Sequence, residues 1–241
     1  MKKKTVTEAI QYRRSVRIQS DKPIDKDTVK ACIKNATLAP NSSNMQLWEF
    51  YHIVQQATQK KIAAACFNQP AAKTAPQLVV AVVRRDLWPQ RLAALIENMR
   101  QGFEKAPARN PEKEAKALAY LENDLPKIYQ SKSRWQRWKE KRQMEQKGMS
   151  GAVYREIGAD DLKVIGHKSV ALAAQNFMIS MAEVGYDTCP MEGFDSKRVK
   201  AILDLPEEAE ISMVIGCGVR ATNGVYGSQF RLPLESVYFE K

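Results

Sequence analysis

Arg13, Arg14, Ser15 and Arg17 put three guanidinium groups and a hydroxyl within five residues. They fall where a short helix should end and backbone groups become free. That is phosphate chemistry: a guanidinium fork matches phosphate oxygens two at a time, and each charge-assisted bond contributes about 1.5–3 kcal/mol when sheltered from water. A second polar cluster lies in Leu38–Phe50, LAPNSSNMQLWEF. Pro40 stops a helix there, and Asn41, Ser42, Ser43 and Asn44 offer short polar side chains and free N–H groups. A third stretch, Pro190-Met191-Glu192-Gly193-Phe194-Asp195, joins an extended piece to a helix cap. Each has a plain structural reading as well: a solvated basic turn or a ligand-free loop.

The surrounding pattern predicts the elements that must hold these residues. Thr5 to Tyr12 has Val6, Ala9 and Ile10 at helical spacing, with Thr5 or Thr7 as cap. Asp25 caps a helix running to about Leu38 on a stripe of Val29, Ile33 and Ala36. Leu47–Val54 reads as a strand and Thr58–Cys66 as a short helix closed by Asn68; Gln77–Val83 reads as a strand covered on both faces. Leu87 to about Gly148 is helical and polar, interrupted by Pro107, Pro111 and Pro126, and reads as a helical insertion. Trp135 and Trp138 in it are expected to anchor onto neighbouring helices. A long helix starts at Asp160 or Asp161 and ends at Gly185. An extended Tyr186–Met191, a helix from Asp195 to Leu203, a strand Ile211–Ile215, a turn at Gly216-Cys217-Gly218 and a last strand Ser236–Phe239 follow.

Composition narrows the function. A chain of 241 residues can bury a core as one domain, 1–241, carrying an insertion at about 87–148. Cys32, Cys66, Cys189 and Cys217 are scattered, and His52 and His167 have no second ligand at helical spacing, so no metal site is expected. No stretch is apolar and long enough for a signal peptide or a membrane span, so a cytoplasmic protein without a membrane partner is expected. The net charge is +11, of which Arg84–Lys147 holds a surplus of +7 from 16 Lys/Arg and 9 Asp/Glu. Without a nucleic-acid motif, that surplus reads as a solvated helical face and no nucleic-acid partner is expected.

In this order the three polar segments resemble the FMN-dependent nitroreductase family, over roughly residues 5–85 and 160–241. The resemblance implies an α+β fold, a three-layer α/β/α sandwich on a mixed, mainly antiparallel sheet, and a homodimer with FMN at the subunit interface. It places Arg13, Arg14, Ser15 and Arg17 at the FMN phosphate and pyrimidine edge, with Arg17 near N1. Pro40, Asn41, Ser42, Asn44 and Gln46 fall on the partner-facing loop, Asn68 near the pyrimidine ring, and Arg231 at the phosphate. Pro190, Met191, Glu192 and Gly193 fall beside the isoalloxazine, where a main-chain N–H reaches N5. This chain departs from the family at Asn41, Leu47, Ala71 and Gln229, the last standing where a basic residue is frequent.

The implied activity is transfer of electrons from NADH or NADPH through flavin N5 to a nitroaromatic, quinone or similar small flat acceptor, by a ping-pong cycle and without a side-chain nucleophile. Two alternatives stand beside it. One keeps the fold and changes the flavin reaction to dehalogenation, ene-reduction or flavin destruction. The other is a non-enzymatic basic protein binding RNA or an acidic partner through Trp135, Trp138 and the surrounding Arg134, Arg137, Lys139, Lys141 and Arg142.

Overall fold

The apolar run Gln77–Val83 forms strand β2, and all of its residues are buried. Its alternation divides the molecule: Val79, Ala81 and Val83 face one core cluster, Leu78, Val80 and Val82 another. This is what a period of two does in a strand covered on both sides. The computed structural model describes residues 3–130, 133–156 and 158–241; the side chains of Arg134 and Arg137 lie outside the described residues.

Around β2 stand β1 (Trp48–Ile53), β4 (Glu210–Gly218) and β3 (Asp187–Met191), in the order β1-β2-β4-β3. Every pairing of these strands is antiparallel. The mixed character expected of the sheet is reduced to one isolated parallel bridge, Ser15 with Thr188. A bulge skips Ser212, since Ala81 pairs with Met213 and Val82 with Ile211. It therefore turns Ile211 to one core and Met213 to the other.

On the first face lie α1 (Val6–Tyr12), α2 (Lys26–Ala36) and α9 (Ala159–Glu183), with α1 and α2 both packed on α9. Thr5 caps α1 in a reciprocal capping box with Glu8, and Asp25 caps α2. On the other face lie α3 (Gln56–Ala65), α4 (Pro70–Lys73) and α10 (Ser196–Ile202). The result is an α+β sandwich of three layers.

Between β2 and α9 lie α5 (Trp88–Glu104), α6 (Pro111–Ala119), a π turn Tyr120–Asp124, α7 (Leu125–Tyr129) and α8 (Arg134–Lys147). Leu92, Leu121 and Leu125 of these helices form a small core of their own, which takes in Met45 and Leu47 from the stretch before β1. Three expectations fail. Trp135 and Trp138 are not buried as anchors: they are 64% and 54% exposed, and each meets a cation of its own helix, Lys139 at 5.4 Å and Arg142 at 5.0 Å. Ser236–Phe239 is not a strand; a short 3-10 turn, Leu234–Ser236, and exposed chain stand there, because a lone segment has no edge of its own to pair with. Gly216 and Gly218 are no turn either, since both lie within β4.

Candidate active site

The Arg13–Arg17 segment leaves α1 and runs beside the end of β3. Val16 N–H donates to Thr188 O at 3.1 Å, and Ser15 makes the parallel bridge. A turn at Ala221–Gly224 then locks onto it: Arg17 N–H donates to Gly224 O at 2.6 Å and Ala221 N–H to Ile18 O at 3.1 Å. A Cβ on Gly224 would lie 2.4 Å from Ile18 O, so only glycine permits this approach. The arm that follows, Val225 to Arg231, is thereby laid alongside the arginines.

Between them opens a cavity of about 380 Å³, lined by Arg13, Arg14, Ser15, Arg17, Gln229 and Arg231, with Gln69, Pro70 and Ala71 as a further wall. Among the described residues no carboxylate lines it. Arg14 Nη2 donates to Gly227 O at 3.2 Å and Arg231 Nη1 to Phe230 O at 2.6 Å, yet among the described residues none of the four guanidinium groups has an acidic partner. Burial pulls the Arg13 guanidinium below its ordinary range, and the charges of Arg231 and Arg14 pull it further. A cluster of cations so arranged attracts an anion.

The wall of Gln69 to Ala71 depends on the helix before it. Helix α3 closes in a Schellman pattern, Asn68 N–H to Ala63 O at 2.9 Å and Phe67 N–H to Ala64 O at 3.1 Å, with Phe67 and Asn68 at φ of 57° and 53°. This agrees with Asn68 closing the helix. Its side chain does not enter the arginine cavity, however, and instead lines a separate one of about 500 Å³ with Lys60 and Lys73. Gln69, which the residue pattern did not single out, takes the wall position: its Nε2 donates to Gly193 O at 2.6 Å and to Cys66 O at 3.1 Å. The only signal for it was a carboxamide directly after the helix stop. Gly216 admits α4 to the sheet, since a Cβ there would stand 2.4 Å from Ala71 O.

Gln69 also ties in the third polar segment. Cys189 and Met191 are buried in the second core, Pro190 is half-buried, and Glu192 and Gly193 are exposed beyond the strand end. Burial pushes the Cys189 thiol up, although Arg17 and Arg13 pull the other way.

The Asn41–Gln46 loop is not brought to this cavity within one chain. Asn41 and Ser42 lie against Leu162, Ile165 and Ser169 of α9, while Asn44 and Gln46 lie against Arg91 and Asn98 of α5. Pro40 is exposed, four residues beyond the end of α2. Ser43, Asn44 and Gln46 hold φ values of 52°, 52° and 49°, a region costly for side chains other than glycine. Asn41 sustains this shape: its Oδ1 accepts from Gln46 N–H at 2.7 Å and its Nδ2 donates to Ala39 O at 3.3 Å. Outside contacts complete it, with Ser42 N–H donating to Ser169 Oγ at 3.5 Å and Ser43 Oγ lying 3.4 Å from Tyr120 Oη.

The site is thus a cavity at the edge of a doubly covered antiparallel sheet, lined by four guanidinium groups that have no acidic partner among the described residues. Residues 10–219 match the nitroreductase family, and the chain belongs to it. It is therefore an oxidoreductase of that family, which sets aside the non-enzymatic alternative. An NADH dehydrogenase from Thermus thermophilus is 28% identical over 227 residues, covering 93% of this chain and 90% of that protein. The crystal structure of ydfN from Bacillus subtilis superposes with a TM-score of 0.74 at 21% identity over 98% of each chain. A protein from Exiguobacterium sibiricum solved in complex with FMN superposes with a TM-score of 0.67 at 21% identity, over 100% of this chain and 99% of that one. Among the described residues no helix is long and apolar enough to cross a membrane.

Proposed function

We propose that the chain binds FMN in the arginine cavity and passes electrons from NADH or NADPH to a small flat acceptor, a nitroaromatic or quinone, in a ping-pong cycle. The observation that carries this reading is the set of four guanidinium groups lining one cavity without a carboxylate. The cavity chemistry fits FMN: Arg13, Arg14, Ser15 and Arg231 can hold its phosphate, Arg17 offers donors for a polar ring edge, and Gln69, whose Nε2 is already spent on Gly193 and Cys66, offers its Oε1 as an acceptor. FMN, when bound, supplies the N5 that takes up and gives back hydride. The protein's part is to fix the phosphate, orient the ring beside Glu192 and Gly193, and hold a cation near where reduction places negative charge.

The active form in this reading is a homodimer, in which the Asn41–Gln46 loop of one subunit meets the cavity of the other. Its support is exposed apolar surface: Val6 and Ile10 of α1 at 70% and 54%, and Phe230 of the arm with Leu234 and Phe239 beyond it at 75%, 68% and 72%. Four free thiols support a reducing, cytoplasmic setting. Flavin-loaded protein mixed rapidly with NADH or NADPH should bleach at the flavin bands and regain colour with quinone. Absence of FMN uptake by refolded or purified chain removes the reading; sedimentation as a monomer at low micromolar concentration removes the shared site.

A further inference from the structure

We propose that Arg220, outside the cavity, is a positioning residue for the phosphate grip, acting through Asp187 and the main chain at Tyr12; this rests on the reading of the cavity as a flavin phosphate site. Arg13 and Arg14 occupy a short span of chain whose two ends are fixed separately. At the far end, Val16 N–H donates to Thr188 O at 3.1 Å. At the near end, Tyr12 O accepts from Arg220 Nη2 at 3.2 Å.

Arg220 is itself held on Asp187: its main-chain N–H donates to Oδ2 at 2.7 Å, its Nε to Oδ1 at 3.0 Å and its Nη2 to Oδ1 at 2.5 Å. Asp187 is 2% exposed and directly precedes Thr188 in β3. Both ends of the Arg13–Arg14 span are thus referred to consecutive residues of one strand, one end through the main chain and the other through the guanidinium of Arg220. The Tyr12 ring completes the anchor, with the Arg220 guanidinium 4.3 Å and the Lys4 ammonium 4.1 Å from its centroid, and its hydroxyl donating to Gly185 O at 3.3 Å.

An ion pair with one buried member, here Asp187 against a half-buried Arg220, is weak evidence for stabilisation, because apolar residues of the same shape often serve as well. What this pair adds is direction. The planar fork of arginine reaches Asp187 and the Tyr12 carbonyl together, which a lysine ammonium cannot do with fixed geometry. Because Asp187 balances Arg220, the pair gives the cavity little net charge. Position and charge can therefore be separated: if Arg220 acted by its field, removing the Asp187 charge would tighten phosphate binding, whereas if it acts by placement, the same change loosens it.

The experiment measures dissociation constants for FMN and for riboflavin, which lacks the phosphate, by flavin fluorescence at fixed ionic strength. The native protein, Arg220→Lys, Asp187→Asn and, as a cavity control, Arg13→Ala are compared. Arg220→Lys and Asp187→Asn are expected to weaken FMN roughly tenfold with riboflavin unchanged, so that the preference for FMN shrinks in both. A merely structural role would lower the two flavins together. Loss of the preference in Arg13→Ala but not in Arg220→Lys overturns the positioning role alone, as does tighter FMN binding by Asp187→Asn. A native protein without preference for FMN overturns the phosphate reading and this proposal with it. Should Arg220→Lys fail to fold, the Asp187→Asn preference decides.

Discussion

The arginine cavity and the Asn41–Gln46 loop are both short, polar and built on irregular chain, yet they are organised in opposite ways. In the cavity, like charges face one another with no carboxylate between them, and burial with Arg231 and Arg14 disfavours the charge on Arg13. In the loop, strained backbone is offset by hydrogen bonds of Asn41 with Gln46 and Ala39, completed by Ser169 and Tyr120 from outside it. The first region leaves its electrostatics unfinished for a ligand to complete. The second finishes its own and offers a fixed shape. A site that is to bind charge tolerates instability in the free protein, while a surface that is to present a contour must not move.

The largest expected effect comes from breaking the frame of the cavity alone. Gly216→Ala would set a Cβ 2.4 Å from Ala71 O, and since both atoms belong to packed backbone, α4 must shift. Overpacking of this kind costs about 1–3 kcal/mol or more. Calorimetry should show a fall in Tm of about 2–4 °C for each kcal/mol, and FMN uptake should fall with it. An unchanged Tm would mean that α4 has slack which the packing does not show.

Next in size, Arg13→Ala and Arg231→Ala should each weaken FMN by about 1–3 kcal/mol. The free proteins should be no less stable than native, because each change removes a cation that its neighbours repel. If the flavin-free variants melt lower, the arginines have structural partners and the contrast between the two regions is lost.

Asn41→Ala tests the other side. It removes the acceptor for Gln46 N–H and should cost the flavin-free protein about 1 kcal/mol, seen in denaturant unfolding. Asn41→Asp, which keeps the acceptor oxygen, should recover most of it. Stability equal to native in the alanine variant would show that the loop is held instead by the packing of Met45 and Leu47 on Leu92, Leu121 and Leu125 and by the contact with Tyr120.

The smallest effect belongs to α8. Trp135→Ala with Trp138→Ala removes rings that are more than half exposed, so Tm and FMN occupancy should hold, within about 0.5 kcal/mol. Steady-state constants for nicotinamide and acceptor report whether this helix touches either. A large loss of stability would place it in the fold after all.

Local chemistry wrote much of this protein into its sequence. Asp25 as a cap, the apolar run Gln77–Val83 as a doubly covered strand and the closure of α3 at Asn68 each depend on residues within a few positions of one another, so the pattern alone predicts them, while for α1 it narrows the cap to Thr5 or Thr7 and the structure selects Thr5. The clustering of Arg13, Arg14, Ser15 and Arg17 was legible for the same reason, and so was its suitability for phosphate. Tertiary structure decided what depends on distant partners. It brought Gln229 and Arg231 to those arginines through Gly224, put Gln69 rather than Asn68 on the wall, and used Gly216 to admit α4 where the local pattern suggested a turn. It also left Ser236–Phe239 unpaired, because a β propensity becomes a strand only where another edge accepts its hydrogen bonds. Trp135 and Trp138 follow the same rule: spacing sets which residues share a helix face, and only the assembled fold decides whether anything packs against it.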